Sequence, residues 1–399
     1  MRSDDDQRSN DGAPGGRRIV VIGGGIGGAE VALTLAIGCP DDEVLLVGRW
    51  PCVRVMPDLV YMPFGVSQRR IDIPLDELRR FGLEWKQAEV GLVDRGRSVV
   101  VTDHGEIPYD ELVVATGAQL REHDPHGMRS LDDAMRVQRE LEAVCDAAEN
   151  GAPRTIAFLI DGDGWSAPAC ELAFLTTHWV RARGLDRRIN VIVATSDGAV
   201  FDWFGAEVER IVADRFEQLG VETLTQVPPG RLGSIDADLR IRFGGLQAVT
   251  VPGVPGRTAN GWYRPDDSFA VAPHIYVVGD ATHLPYRGAF AASWHARRVL
   301  TALGGTVESL GEMLDDVPVE SVEYQMDMGD AVMCVRVPHG ESIQRTFLGH
   351  DTSVRVDEGG WPDKLVGLTL HDRVIARHVT TVATPRAWRD ELMNLEYAR

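Results

Sequence analysis

Three glycines near the beginning of the chain have the spacing that nucleotide phosphates require. Gly23, Gly25 and Gly28 follow a β-branched run over residues 18–22 and precede a helical pattern that continues to Ala36. The first glycine of such a turn permits the bend, the second lets a pyrophosphate approach the backbone, and the third lets the helix pack against the strand. Free N–H groups and the partial positive charge at the helix start also favour an anion. The spacing therefore predicts a dinucleotide-binding turn.

The acidic residue that usually accompanies this turn is absent. A carboxylate about 20 positions further along normally binds the ribose hydroxyls of the nucleotide. In this chain the buried run over residues 43–47 is followed by Gly48 and Arg49. Contact with a phosphate, stacking on adenine and simple solvation at the surface are all compatible with Arg49. The sequence thus supports the phosphate end of the site and leaves the adenosine end open.

Two later segments have the same form, a buried run that ends in a turn. One covers residues 111–116 and ends in Thr116-Gly117. The other covers residues 274–282 and contains Gly279-Asp280. Because the last segment lies so far from the first turn, we expect the chain to leave its first nucleotide-binding domain, build a second unit and return to complete the first.

The periodicity of apolar residues places these motifs in an α/β fold with parallel sheets. A first strand–helix–strand pattern covers residues 18–47, and a second begins after the break at residues 150–153. The second pattern has strands at 155–160 and 190–195 around a helix at 169–183, so the middle third repeats the plan of the first. Further helices are predicted over 130–149, 204–220, 288–303 and 385–397, and further strands over 98–102, 322–337, 352–356 and 365–379.

The predicted fold class is α/β, with two Rossmann-like dinucleotide-binding domains, the first discontinuous, and a C-terminal α+β domain. The expected boundaries are a disordered tail over residues 1–16, the first domain over 17–120 and 258–308, the second over 121–257 and the C-terminal domain over 309–399. The tail is polar and has no apolar segment of the kind found in signal peptides.

Composition excludes several classes of function. The 399-residue chain has a formal net charge of −19, which disfavours nucleic-acid backbones and anionic membranes. No apolar run reaches the roughly 20 residues that cross a bilayer. The five cysteines are scattered without a Cys-x-x-Cys pair, so neither a disulfide framework nor a metal site is expected. We therefore expect a cytoplasmic protein without a metal, a nucleic-acid partner or a membrane partner.

Residues 109–117 and 275–280 resemble two signature segments of the FAD-dependent pyridine nucleotide-disulfide oxidoreductase superfamily. Residues 49–65, 162–173 and 279–292 are similar to its sulfide:quinone reductase and type II NADH dehydrogenase branch, and the resemblance covers roughly residues 17–305. It implies that FAD is the cofactor. The residues that it places on FAD are Gly23, Gly25, Gly28, Arg49, Thr116, Gly117, Gly279, Asp280, Gly288 and Ala289.

The chain departs from this branch where sulfide is oxidised. In the sulfide enzymes a redox cysteine precedes the Pro-Ala-x-Glu stretch, and Trp165 stands at that position here. The partner cysteine is missing from the segment resembling residues 322–329. Cys170 and Cys334 lie nearby but off register. They could form a rearranged redox pair or, more simply, be buried small hydrophobic residues. We therefore expect no sulfide oxidation. Cys52 is a further candidate, for a covalent flavin link.

The second glycine turn gives a weaker signal for a nicotinamide cofactor. Gly162-x-Gly164-x-x-Ala167 has acceptable spacing, but Asp161 and Asp163 flank it and would repel phosphates. The next strand ends at Thr195 without an acid for a ribose or an arginine for a 2′-phosphate. Two interpretations stay open: this domain binds NAD(P)H, or it only shapes the substrate pocket.

The segment before the predicted helix at 288–303 supplies the candidates for chemistry. The start of this helix is expected to face the flavin edge where negative charge develops on reduction. Arg287 could add a positive charge there, and Tyr286 and Trp165 could form walls of the pocket. His283 and His295 are candidates for proton transfer, although structural histidines are more common.

These observations predict a soluble FAD-dependent oxidoreductase that performs two-electron or hydride transfer with a small organic substrate. One alternative is an NAD(P)H:quinone or NAD(P)H:acceptor reductase. Another class is an FAD-binding scaffold or a non-redox flavoprotein such as a cyclase or lyase. The helix predicted at 385–397 lacks the basic and broad apolar faces that membrane binding needs, so we expect it to cap the flavin domain or to form a homodimer.

Overall fold

The structure of the protein is a computed structural model that describes residues 16–66, 72–121, 124–162, 165–284, 287–306, 310, 321–338 and 352–359. Tyr286 and, apart from Gly16, the predicted tail lie outside these ranges. The strand predicted at 365–379 and the helix predicted at 385–397 also lie outside them.

The described strands, in chain order, are β1 (Arg18–Ile22), β2 (Glu43–Gly48), β3 (Cys52–Arg54), β4 (Asp72–Pro74), β5 (Glu84–Gln87), β6 (Val90–Asp94), β7 (Val99–Thr102), β8 (Gly105–Pro108), β9 (Glu111–Val114), β10 (Ala118–Leu120), β11 (Arg154–Ile160), β12 (Ile189–Thr195), β13 (Glu222–Leu224), β14 (Leu239–Phe243), β15 (Leu246–Ala248), β16 (Ala270–Ala272), β17 (Ile275–Val277), β18 (Ser321–Asp327), β19 (Ala331–Pro338) and β20 (Ser353–Glu358).

The described α-helices are α1 (Ile26–Gly38), α2 (Leu131–Asn150), α3 (Ser166–Ala182), α4 (Ala206–Leu219), α5 (Pro229–Leu232) and α6 (Ala289–Ala302), and 3₁₀ turns cover Met56–Phe64, Leu75–Phe81 and Gly279–Ala281. The helices predicted at 130–149, 169–183, 204–220 and 288–303 are confirmed to within three residues at each end. Among the described residues, no helix has both the length and the apolarity that crossing a membrane requires.

A six-stranded sheet carries the first glycine turn, with the spatial order β16-β17-β9-β1-β2-β5. All neighbouring strands in it run parallel except β16 and β17. β1 is buried from Ile19 onward and lies in the middle of the sheet, which explains its continuous β-branched run. β17 pairs with β9, so the chain returns to the first sheet as the sequence predicts.

A four-stranded parallel sheet with the order β13-β12-β11-β14 forms the second unit. Together the two sheets and their helices confirm the predicted α/β fold. Helix α2 leads into the second sheet, and its start follows from the sequence because Ser130 and Asp133 form a capping box. Its buried residues recur every three or four positions, as an amphipathic helix requires, at Leu131, Ala134, Val137, Leu141, Cys145 and Ala148.

Four smaller antiparallel sheets complete the described part of the chain. β6, β7 and β8 form one, β3 pairs with β4, and β10 pairs with β15. β18, β19 and β20 form the last, so the region predicted as strand over residues 322–337 is a pair of strands. The turn between them contains Gly329, whose φ of 93° suits a glycine.

Candidate dinucleotide site

A cavity of about 1100 Å³ lies against the first sheet. It is lined by the first glycine turn, by the residues that follow β9, by the 3₁₀ turn after β17 and by the start of α3. The carboxyl ends of parallel strands meet at one edge of a sheet, which is where such folds bind nucleotides. Of the predicted FAD ligands, Gly23, Gly25, Arg49, Thr116, Gly117, Gly279, Asp280, Gly288 and Ala289 all line this cavity.

The three glycines of the first turn meet three different requirements. Gly23 has a φ of 118°, and a Cβ there would lie 2.3 Å from the Ala115 carbonyl oxygen. A Cβ on Gly25 would meet open space, because this residue faces the cavity at the start of α1. Gly28 is absent from the lining, and a Cβ there would lie 1.7 Å from the Gly23 carbonyl oxygen. The turn is therefore open where a phosphate would approach and closely packed behind it.

The turn after β17 is held by a buried histidine. The Gly279 N–H donates a hydrogen bond of 2.8 Å to Nδ1 of His295 on α6. Burial lowers the pKa of His295 to about 3, so the ring stays neutral and keeps its acceptor nitrogen. His295 therefore positions the turn and is not placed to exchange protons in the cavity.

Asp280 connects this turn to the start of α6. Its Oδ1 accepts a hydrogen bond of 3.0 Å from the Gly288 N–H. Gly288 has a φ of 131° and is the residue before the helix, so the helix N-terminus opens into the cavity. A carboxylate thus lies beside the helix N-terminus that the sequence predicts to face the flavin edge.

Two arginines line the same part of the cavity. Arg287 lies over the Trp262 ring at 4.1 Å, and Arg129 lies over the Trp165 ring at 3.6 Å. Burial lowers the pKa of Arg129 to about 10, opposed by the charge of Asp280, so Arg129 remains a cation at neutral pH. Sequence reasoning missed Arg129 because an arginine just before a helix cap has no distinguishing pattern.

Only some of the residues that the sequence suggests for catalysis line the cavity. Trp165 and Arg287 line the cavity, whereas His283 is not among its lining residues. The His283 ring Nδ1 lies 3.3 Å from the Tyr263 carbonyl oxygen, and burial lowers its pKa. Glu171 on α3, the glutamate of the Pro-Ala-x-Glu stretch, also lines the cavity. Other lining residues had no sequence signal because they come from distant segments, namely Trp203 and, on β18, Tyr324 and Gln325.

The charges around the second glycine turn differ from those expected from the sequence. Asp161 accepts a hydrogen bond of 3.0 Å from Arg242, which also pairs with Asp124 at 3.1 Å. The predicted repulsion from Asp161 is therefore offset by an arginine on β14. A Cβ on Gly162 would lie 3.0 Å from the side chain of Asp197, an acidic residue two positions beyond the end of β12. This carboxylate was missed because the expected position was Thr195.

The sequence of residues 17–298 matches the family described as pyridine nucleotide-disulphide oxidoreductase. The chain belongs to this family. The match spans both parallel sheets and both glycine turns, and it confirms that the protein is an FAD-dependent oxidoreductase by family.

Similar proteins support the predicted branch. The chain is 26% identical over 224 residues to a sulfide-quinone reductase of Aquifex aeolicus, a match that covers 53% of this chain and 51% of that protein. It is 27% identical over 321 residues to a type II NADH:quinone oxidoreductase of Mycobacterium tuberculosis, covering 68% of each. The alignment therefore spans about half the length of the first relative and two thirds of the second.

The fold is also shared with a solved structure. The sulfide:quinone oxidoreductase of Aquifex aeolicus superposes with a TM-score of 0.69 at 18% identity, covering 95% of this chain and 92% of that one. The similarity extends beyond the two glycine turns to most of the chain.

The cysteines do not form a disulfide in this member of the family. All five are free thiols. Burial raises the pKa of the Cys170 thiol far above its usual value and that of Cys334 to about 12. Redox-active cysteines have lowered pKa values, so these two thiols fit buried packing better than a relay. Cys52 lines the cavity, but burial raises its pKa as well.

The residues around the cavity fit FAD. The open position at Gly25 and the close packing behind it at Gly28 form a cradle for a pyrophosphate at the start of α1. The helix start at Gly288 faces the cavity where the flavin edge is expected. Arg129 and Arg287 line the adjoining wall as cations, together with the carboxylates of Asp280 and Asp133. A cavity of this size, open to an anion in its middle, matches a dinucleotide.

Proposed function

We propose that this protein transfers two electrons between FAD and a small, largely apolar organic substrate, and that it does not oxidise sulfide. The observation that carries the proposal is the composition of one cavity wall. Trp165, Trp203, Tyr324 and Glu171 line it, and Cys170 and Cys334 are absent from the lining. FAD, when bound, supplies hydride transfer at its N5 atom. The residues of this chain form the wall against which the substrate would bind.

An aromatic cluster supports that wall. Tyr324 lies with its ring centre 5.2 Å from Phe204, 5.5 Å from Phe290 and 6.1 Å from Trp203. Such rings exclude water and favour flat apolar ligands through stacking and burial. Because Tyr324 comes from β18, the C-terminal sheet would contribute directly to substrate recognition.

Glu171 is the residue that we propose for proton transfer at the wall. Its side chain is buried, with 6% of the residue exposed, and it also lines the cavity. The Asp327 N–H donates a hydrogen bond of 2.8 Å to Glu171 Oε1, and the Tyr61 hydroxyl donates to Asp327 Oδ2 at 3.2 Å. These contacts hold the carboxylate in one orientation while it faces the cavity.

Anaerobic flavin spectroscopy of the purified protein tests the proposal. We expect a yellow protein whose flavin is reduced and reoxidised, and Glu171→Gln should slow a proton-coupled step by about 10²-fold or more. A matched control is Glu142→Gln, an exposed glutamate on α2. A fast reaction with sulfide, or Glu171→Gln behaving like the control, would contradict the proposal.

A second candidate function is reduction of an acceptor by NAD(P)H, and Asp197 favours it. The Asp197 carboxylate lies beside the Gly162 turn, where an acid could bind the ribose of NADH. Rapid anaerobic bleaching of the flavin by NADH would support this function, and absence of bleaching by NADH and NADPH would exclude it. A flavin that no reductant or substrate discharges would instead indicate a scaffold or a non-redox role.

A further inference from the structure

The first turn has no carboxylate at the end of β2 for a structural reason. The backbone of the turn lies directly against Gly48, so a Cβ at this position would be 3.0 Å from both N and Cα of Gly24. A larger residue there would need the glycine turn or the end of β2 to shift by a few tenths of an ångström. The close backbone packing therefore disfavours the usual ribose-binding acid at this position.

The neighbouring strand brings a carboxylate to the same edge of the sheet. β5 runs parallel to β2, with Gln87 opposite Gly48, and the Ala88 N–H continues the ladder with a 3.0 Å bond to the Gly48 carbonyl oxygen. Glu89 follows at once. Its N–H donates to Asp103 Oδ1 at 2.8 Å, so its backbone is held in place.

The side chain of Glu89 faces the cavity and remains accessible. It lines the cavity, it is 67% exposed, and its Oε1 lies 3.8 Å from the guanidinium of Arg49. An exposed pair at this distance contributes little to stability. The pair with Arg49 keeps the Glu89 carboxylate at the cavity rim, next to a positive charge.

Trp50 lies at the same rim and is unusually exposed. Of the seven tryptophans among the described residues, it is the one with a largely exposed side chain, at 67%. It lines the cavity. Exposure of so much apolar surface is unfavourable, and at the mouth of a cavity it points to a ligand that covers it.

We propose that Glu89 and Trp50 form the adenosine end of the FAD site. Glu89 accepts hydrogen bonds from the ribose hydroxyls in place of the carboxylate that is missing at Gly48, and Trp50 provides the face on which adenine stacks. The ribose contact has thus moved by one strand, from β2 to β5. This inference rests on the proposed FAD binding and adds which residues make the protein select FAD over flavins without adenosine.

Binding of flavins to the full-length apoprotein tests the role of Trp50. Trp50→Ala should raise the Kd for FAD by about 10- to 100-fold, the effect of removing one base-stacking aromatic. The Kd for FMN, which has no adenosine, should not change. Trp50→Phe should restore most of the FAD affinity because a flat ring is retained.

A modified cofactor isolates the role of Glu89. Glu89→Gln should raise the Kd for FAD by about tenfold, the loss expected when a charged acceptor is removed. Against flavin 2′-deoxyadenine dinucleotide the same substitution should have a smaller effect, because one of the two hydroxyls that Glu89 recognises is already missing. Glu84→Gln, at the exposed start of β5, is the matched control and should leave both affinities unchanged.

The outcomes separate this inference from the proposed function. If the wild-type protein binds FAD and neither variant weakens it, the adenosine assignment is wrong while the flavin function stands. Equal losses for FAD and FMN would also overturn the assignment, because they would show a general structural defect. A wild-type protein that takes up no flavin would overturn both.

Discussion

The two glycine turns of this protein occupy equivalent places in two parallel sheets, yet their surroundings differ. Behind the first turn, Gly28 lies so close to Gly23 that no side chain fits. Beside the second turn, Gly162 is in contact with the flexible side chains of Ser196 and Asp197. The first turn lines the large cavity, whereas Asp161 and Gly162 do not.

This difference shows that a glycine pattern indicates a binding turn only where close backbone packing requires glycine at its positions. At the first turn, close approach of helix and strand leaves the N–H groups open to a ligand. At the second turn, ion pairs and side chains occupy the corresponding space. The second unit contributes to the cavity by another route, through Trp165 and Glu171 at the start of α3.

The largest expected effect comes from adding a methyl group at the first turn. Gly28→Ala should destabilise the protein by about 3 kcal/mol, because its Cβ would clash with rigid backbone, and the flavin content should fall with it. Gly162→Ala should cost about 0.5 kcal/mol, because the neighbouring side chains can move. Denaturant unfolding of both variants measures the difference, and equal losses would remove the distinction between the turns.

Next in size is the effect of removing a carboxylate from each unit. Asp280→Ala should raise the Kd for FAD by about 10- to 100-fold, since it removes the acceptor for the Gly288 N–H as well as a cavity carboxylate. Asp161→Ala should change this Kd by less than about twofold, because Asp161 pairs with Arg242 outside the cavity. Fluorescence titration of the apoproteins gives both values, and a flavin affinity insensitive to Asp280 would break the comparison.

A smaller, pH-dependent effect is expected from His295. Its folded-state pKa of about 3 lies below the unfolded value of 6.5, so the unfolded state binds the extra proton and stability falls as the pH drops below about 6.5. The loss between pH 7 and pH 5 should be about 2 kcal/mol. His295→Gln should flatten this part of the stability profile, and an unchanged acid profile would show that the histidine is not buried as a neutral ring.

The smallest effect is expected at Asp197, and it applies if the second turn binds NADH. Asp197→Asn should raise the KM for NADH by about fivefold by weakening one ribose contact, and it should leave the FAD affinity unchanged. Steady-state kinetics with NADH, together with FAD titration, distinguish the two effects. A change in FAD affinity would mean that this residue belongs to the first site.

Much of the fold and half of the candidate site could be predicted from the sequence. The turns at Gly23 and Gly279 depend on local patterns of glycines after buried strands, and such patterns are legible along the chain. Arg129, Trp203 and Tyr324 could not be found in this way, because each reaches the cavity only when distant elements pack together. His283 and His295 were equal candidates in sequence, and in the structure neither of them lines the cavity.

The sequence by itself determined the α/β fold, the order of its elements and the place of the phosphate cradle, because strand, turn and helix signals act between near neighbours. Tertiary structure decided the rest of the site. It placed Glu89 beside β2 through parallel pairing with β5, disfavoured a side chain at Gly48 and brought β18 to the cavity wall. These outcomes depend on contacts between residues far apart in the chain, and their distances follow from packing alone.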